Sequence, residues 1–115
     1  MPRVLINGAH LNYEAAGEGP ALVLLHPNPF DHTIWRHQTA RFSLWFRVIA
    51  MDLRGYGRSE RTTDCSIRTM SDDVAGLLDH LGIAQAIVVG LSVGGIIAQE
   101  FAVDHPSRLP ALVVA

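Results

Sequence analysis

The chain has 115 residues, 49% of them hydrophobic and 17% charged, a composition that fits one globular domain over residues 1–115 and excludes wholesale disorder. Nine Lys+Arg against eleven Asp+Glu leave a formal charge of −2, which argues against nucleic acid or an anionic membrane surface as the main partner. The longest apolar runs, Ala21–Leu25 and Ala111–Ala115, are far too short to span a bilayer, no secretory leader is expected at Met1-Pro2-Arg3, and a single cysteine, Cys65, suits a reducing, cytoplasmic setting.

Val4–Ile6 and His10–Ala15 flank Asn7-Gly8-Ala9, and Asn-Gly between apolar stretches predicts a hairpin. Gly17-Glu18-Gly19-Pro20 is a turn. Ala21–Leu25 is apolar at every position and reads as a strand buried on both faces. Beyond Pro27-Asn28-Pro29, residues from His32 to Ser43 have helical character, with Trp35 and Phe42 on the apolar side. Arg47–Met51 is the next strand, and Asp52-Leu53-Arg54-Gly55-Tyr56-Gly57-Arg58-Ser59 a glycine-punctuated loop. The spacing of Met70, Val74, Leu77, Leu78 and Leu81 predicts a helix over 69–81, with Thr69 and Asp72 as its capping box and Gly82 as its stop. Ala86–Val89 is a further buried strand. Ile96 to Asp104 is helical and ends before His105-Pro106, because a residue preceding proline avoids the α region. Ala111–Ala115 opens one more strand, expected to be buried on both faces.

A hairpin followed by strand–helix alternation predicts an α/β fold: three layers, doubly wound, with a mostly parallel sheet and an antiparallel hairpin at its N-terminal side. Reactive loops in such sheets lie at the carboxyl ends of the strands. Loops fall there after Leu25, after Met51 and after Val89, and they hold the unusual residues.

The loop after Val89 reads Gly90-Leu91-Ser92-Val93-Gly94-Gly95, a G-x-S-x-G sequence between a buried strand and a helix. A sharp turn of this kind lifts a serine hydroxyl above the sheet as a nucleophile elbow and aims helix-start amides at developing negative charge. The same glycines also fit a plain packing turn. Ser92 stands where a dinucleotide fingerprint needs its second glycine, and no lysine follows for a P-loop, so no cofactor is expected.

The loop after Leu25 reads His26-Pro27-Asn28-Pro29-Phe30-Asp31-His32. Its prolines carry no N–H, so Asn28 and Phe30 are the residues that can present amides in this bend, and the His26 ring is expected to engage neighbouring backbone. His26, Asp31, His32 and His37 match no strong ligand spacing, and no metal site is expected.

Taken together, the chain resembles the first half of an α/β-hydrolase-fold protein over essentially its whole length. The likeness is carried by His26-Pro27-Asn28-Pro29 with Trp35 following, by Asp52–Ser59, and by Gly90–Gly95. The first resembles the H-G-x-P oxyanion loop, with Pro27 where glycine is usual, and implies the Asn28 amide as one oxyanion donor. The third implies Ser92 as nucleophile and the Val93 amide as second donor. Asp52–Ser59 resembles the structural D-x-R-G-x-G-x-S turn, to which no chemistry is assigned. Family members with epoxide-hydrolase or dehalogenase activity mostly use aspartate as nucleophile, so a serine implies ester, lactone or related acyl chemistry on a small acyl substrate.

A serine needs a base, and the base an orienting acid. In the family these follow the serine in chain order. Beyond Ser92 lie Asp104 and His105 at a helix end, where both read as structural; His32 is the best local stand-in. The expectation is therefore a serine-hydrolase half with nucleophile elbow and oxyanion hole, capable of weak esterase-like acyl transfer at most. The alternative is a noncatalytic structural or assembly fragment, or one part of a complementing pair. An apolar final strand further predicts a homodimer or higher oligomer through Ala111–Ala115.

Overall fold

In the computed structural model, which describes residues 3–115, Asn7 at φ 49° and Gly8 at φ 82° make the two positive-φ corners of a tight hairpin turn. They join β1 (Arg3–Ile6) to β2 (Ala9–Ala16) as an antiparallel pair with Ile6 opposite Ala9. The leader reading at Met1-Pro2 lies outside the described residues. β2 continues antiparallel onto β4 (Arg47–Met51); β4 is parallel to β3 (Ala21–Leu25), β3 to β5 (Ala86–Gly90), and β5 to β6 (Leu112–Val114). The six-stranded order is β1-β2-β4-β3-β5-β6.

The continuously apolar strands are buried on both faces because helices cover both. Leu22, Leu24, Val48 and Ala50 face α1 (Arg36–Phe42), packed with Trp35, Phe42 and Phe46. Val23, Leu25, Ile49, Met51 and Val88 join the core formed with α2 (Ile67–His80) and α3 (Val93–Asp104), which supply Leu77, Leu78, Ile97 and Phe101. This is the expected three-layer α/β arrangement. The path from β3 leads to α1 on one face, whereas the path from β5 leads to α3 on the other. Adjacent strands whose connections part in this way leave a crevice at their carboxyl ends, the usual ligand position in open α/β sheets.

Several boundaries differ from expectation. The stretch from His32 divides into one 3-10 turn, His32–Trp35, capped by Asp31 on the Thr33 N–H, followed by α1. α2 starts at Ile67, because the Ser66 hydroxyl accepts the Thr69 N–H at 3.1 Å; Ser66 is the cap, and the predicted Thr69–Asp72 box is not formed. α3 starts at Val93 rather than Ile96, its first turn being built from glycines that weaken a helical signal. β6 is shorter than expected and not buried: Leu112, Val113 and Val114 are 37%, 51% and 43% exposed, since among the described residues only β5 pairs with it. No helix among the described residues is long and apolar enough to cross a membrane.

Candidate active site

Ser92 lies between the end of β5 and the start of α3 with φ 58° and ψ −117°. That conformation belongs to the first corner of a type II′ turn, where glycine is the usual occupant. The residue is exposed, and its side chain makes no capping hydrogen bond. Backbone contacts hold the turn instead. Leu91 N–H donates to the Leu25 carbonyl at 3.2 Å, Ser92 N–H to Ala115 at 2.9 Å, and Ala115 N–H to Gly90 at 3.0 Å.

The flanking glycines are required by close approach. A Cβ on Gly90 would strike the Gly94 carbonyl. One on Gly94 would strike the Leu25 carbonyl oxygen and come within 2.9 Å of that of His26. The Ser92 turn is thus laid backbone-to-backbone against the start of the Asn28 bend.

Within that bend the Phe30 N–H donates to the Pro27 carbonyl at 3.0 Å. Of the two amides the bend can present, Asn28 is therefore the one without an acceptor among the described residues, as is Val93 at the first position of α3. The Asn28–Pro29 peptide is cis. His26 is fully buried; Nδ1 donates to the Pro27 carbonyl and Nε2 accepts the Leu53 N–H, each at 2.9 Å. This assigns the neutral tautomer protonated on Nδ1. Burial pushes the His26 pKa below its ordinary value, against the opposing pull of the Pro27 bond and the Asp52 charge. The ring engages backbone, as expected.

Asp52 is buried and accepts N–H groups on both oxygens. Oδ1 takes the His32 backbone N–H at 2.8 Å and His32 Nδ1 at 2.7 Å; Oδ2 takes Asn12 Nδ2 and the Arg58 N–H, both at 2.9 Å. Burial alone would raise its pKa, but the donors from Arg58, His32 and Asn12 outweigh it and hold the carboxyl below the usual range. Asp31, His32 and Asp52 bring their possible ligand atoms within 4.8 Å of one another. Both Asp52 oxygens are already engaged, as is Asp31 by Thr33, so this cluster is explained by hydrogen bonding without an ion.

The structure does not bring His32 to Ser92. Its Nε2 faces Glu14 Oε2 at 3.7 Å, on β2, which lies beyond β4 from β5, so the expected stand-in base points away. Asp104 and His105 terminate α3, about 18–20 Å along the axis from Ser92 at 1.5 Å per residue, and His105 Nε2 bonds Asp72 at 3.1 Å. Sequence reasoning missed Asn12, the strand residue that braces Asp52. No sequence signal marks it: His10-Leu11-Asn12-Tyr13-Glu14 alternates like a half-exposed strand, and the burial of Asn12 appears only in the fold. It also missed the buried Arg54–Asp73 pair, bonded from Nε at 2.9 Å and from Nη2 at 2.8 Å, which ties the loop after β4 to α2.

The alpha/beta hydrolase fold family matches this chain over residues 20–115. The chain belongs to that family. Among curated relatives, the soluble epoxide hydrolase of Corynebacterium sp. (strain C12) is 40% identical over 113 residues, covering 97% of this chain and 40% of its own length. Epoxide hydrolase 4 of Mus musculus is 37% identical over 121 residues, covering 97% and 33%. Among solved structures, an N-acyl homoserine lactone degrading enzyme superposes with a TM-score of 0.95 at 39% identity, covering 98% of this chain and 44% of its own. A thermophilic esterase from Thermogutta terrifontis does so at 0.96 and 37% identity, covering 99% and 45%. The chain thus spans between a third and a half of the length of these α/β-hydrolases.

Proposed function

We propose that this chain carries the nucleophile and oxyanion side of a serine acyl-hydrolase site. Ser92 Oγ attacks the carbonyl carbon of a small ester or lactone, and the resulting tetrahedral oxyanion accepts hydrogen bonds from the Asn28 and Val93 amides. Collapse breaks the carbonyl carbon–oxygen bond; the departing alkoxide, free from an ester or tethered to the acyl chain from a lactone, takes up a proton, and water then releases the acid from the acyl-serine. The observation that carries this reading is the backbone of Ser92, exposed at φ 58° and ψ −117° on a strand-to-helix turn. Holding a side chain there costs about 1–3 kcal/mol. A turn that served packing alone would be relieved by glycine. The unengaged Asn28 and Val93 amides, on two loops in backbone contact, add support.

Relatives named as epoxide hydrolases and structures of ester- and lactone-cleaving enzymes are alike in overall similarity. The serine favours the second group, because epoxide-opening members of this fold mostly use aspartate. The chemistry needs no cofactor or metal. None of the histidine hydrogen bonds among the described residues goes to the Ser92 hydroxyl. The 115-residue polypeptide therefore relies on solvent to take that proton and turns over slowly.

A second reading is favoured by coverage. The chain matches 33–45% of the lengths of the relatives named above, and on this reading a complementing segment supplies the acid and histidine. Apart from catalysis, the 115-residue chain self-associates through the outer edge of β6, whose apolar residues are exposed.

Reaction with an organophosphorus fluoride, followed by mass spectrometry, tests the reading. Labelling is expected in the parent and in Ser107→Ala, and absent in Ser92→Ala. Equal labelling of Ser92→Ala would remove this serine, and a parent that neither labels nor hydrolyses an activated ester, alone or with a C-terminal half, would favour the noncatalytic fragment.

A further inference from the structure

The bend that carries Asn28 is fastened at both ends to one dipeptide at the exit of β4. At its start, His26 donates to the Pro27 carbonyl and accepts the Leu53 N–H, each at 2.9 Å. At its end, His32 places its backbone N–H and its Nδ1 on Asp52 Oδ1 at 2.8 and 2.7 Å. Asp52 cannot follow a moving loop, because Asn12 and Arg58 hold its other oxygen, and a Cβ at Gly57 would overlap its carboxylate. Tyr56, from the same loop after β4, adds an edge-on contact with the His26 ring at 5.3 Å between centroids.

We propose that His32, Asp52 and His26 are positioning residues for the Asn28 amide, so that the loop after β4, read in sequence as structure without chemistry, sets where that donor stands. The prolines of the bend restrict its internal torsions but do not fix its placement as a body; the two anchors do. Placement matters because an oxyanion donor acts only within about 2.7–3.1 Å of the charge, and a displacement of about 1 Å can cost about a hundredfold in rate. The inference deepens the reading of Asn28 given above and rests on it.

The test compares His32→Leu, which removes the ring donor but keeps the backbone N–H on Asp52, with His32→Asn, whose side-chain amide restores an N–H donor near the position of Nδ1. Two signals are read: the rate of Ser92 labelling by an organophosphorus fluoride, and the chemical shift of the Asn28 amide by NMR. His32→Leu is expected to slow labelling about tenfold or more and to displace the Asn28 resonance, with His32→Asn within about threefold of the parent. If His32→Leu does not fold, His32→Ala, which adds no apolar bulk, is read by the same two signals.

A folded His32→Leu that loses thermal stability yet labels at the parent rate with its Asn28 amide unmoved would overturn the proposal. Equal slowing in the Leu and Asn variants would also overturn it. The Asn28 resonance is followed in the Ser92→Ala background as well. Failure of the serine reading is thus seen as missing label in the parent, while the amide signal still decides the clamp.

Discussion

Replacing Ser92 by glycine should stabilise this protein, and the size of the effect follows from its backbone. At φ 58° and ψ −117° a residue with a Cβ is strained, by about 1–3 kcal/mol. Glycine removes that strain but brings a more flexible unfolded chain, which offsets about 0.4–1 kcal/mol. Ser92→Ala is the proper reference, because it deletes the hydroxyl and keeps the strain. Against it, Ser92→Gly should be more stable by about 0.5–2 kcal/mol, or roughly 2–8 °C in melting temperature for a domain of this size. Guanidinium unfolding followed by circular dichroism measures the difference directly, provided the slopes agree. A Ser92→Gly midpoint at or below that of Ser92→Ala would refute the reasoning, since it would mean that the turn stores no strain for the serine to bear.

Asn28→Pro should slow Ser92 labelling by about 2.7–4 kcal/mol of transition-state stabilisation if the full oxyanion effect is expressed, whereas Asn28→Ala, which keeps the N–H, should label at nearly the parent rate. Sedimentation velocity should show self-association of the 115-residue chain that Leu112→Pro weakens. The Ala111 carbonyl and Ala115 N–H bond toward β5, so the pleat turns the Leu112 N–H to the outer edge, and a monomeric parent would refute this. Stability should fall as pH drops below about 6.5, the ordinary histidine value, because His26 is held below it when folded. Between the two values the unfolded chain binds a proton that the folded chain does not, so stability is full above the window and is lost on descending through it. Urea titrations of parent and His26→Asn across that range check the sign, and identical pH profiles would sink it.

What could be read from the sequence was what is local. The strands Ala21–Leu25 and Arg47–Met51 were legible because every position of the first, and every position of the second after Arg47, is apolar, and both are observed with those bounds. The Ser92 turn was legible because backbone approach demands glycine at positions 90 and 94. The start of α2 was not, since it is set by the Ser66 hydroxyl rather than by apolar spacing. Least legible was the Asp52 brace. Its donors Asn12, His32 and Arg58 stand 40, 20 and 6 residues away in the chain. Only the order β2-β4-β3 brings the first two to it, and a turn signature shows a backbone shape without showing what its carboxylate holds.

The two sides of the site are consequently held by different forces. Ser92 is kept in its strained conformation by backbone bonds, through Leu91 to β3 and through Ala115 to the end of β6, with Gly94 wedged on the Leu25 and His26 carbonyls. Strain of that kind persists only where surrounding structure over-determines it, and here the sheet does so through main-chain bonds and close backbone packing, without an ionisable side chain. On the proposal above, Asn28 depends instead on a buried carboxylate and two imidazoles. Acid therefore reaches the Asn28 side first: protonating His26 on Nε2 removes the acceptor of the Leu53 N–H, while no ionisable side chain takes part in the bonds of the Ser92 turn. On the proposed reading, a nucleophile placed by packing and an oxyanion donor placed by hydrogen bonds to titratable side chains part company as pH falls: protection of the Leu53 amide, referred to its intrinsic exchange rate, should drop while that of Leu91 and Ser92 holds.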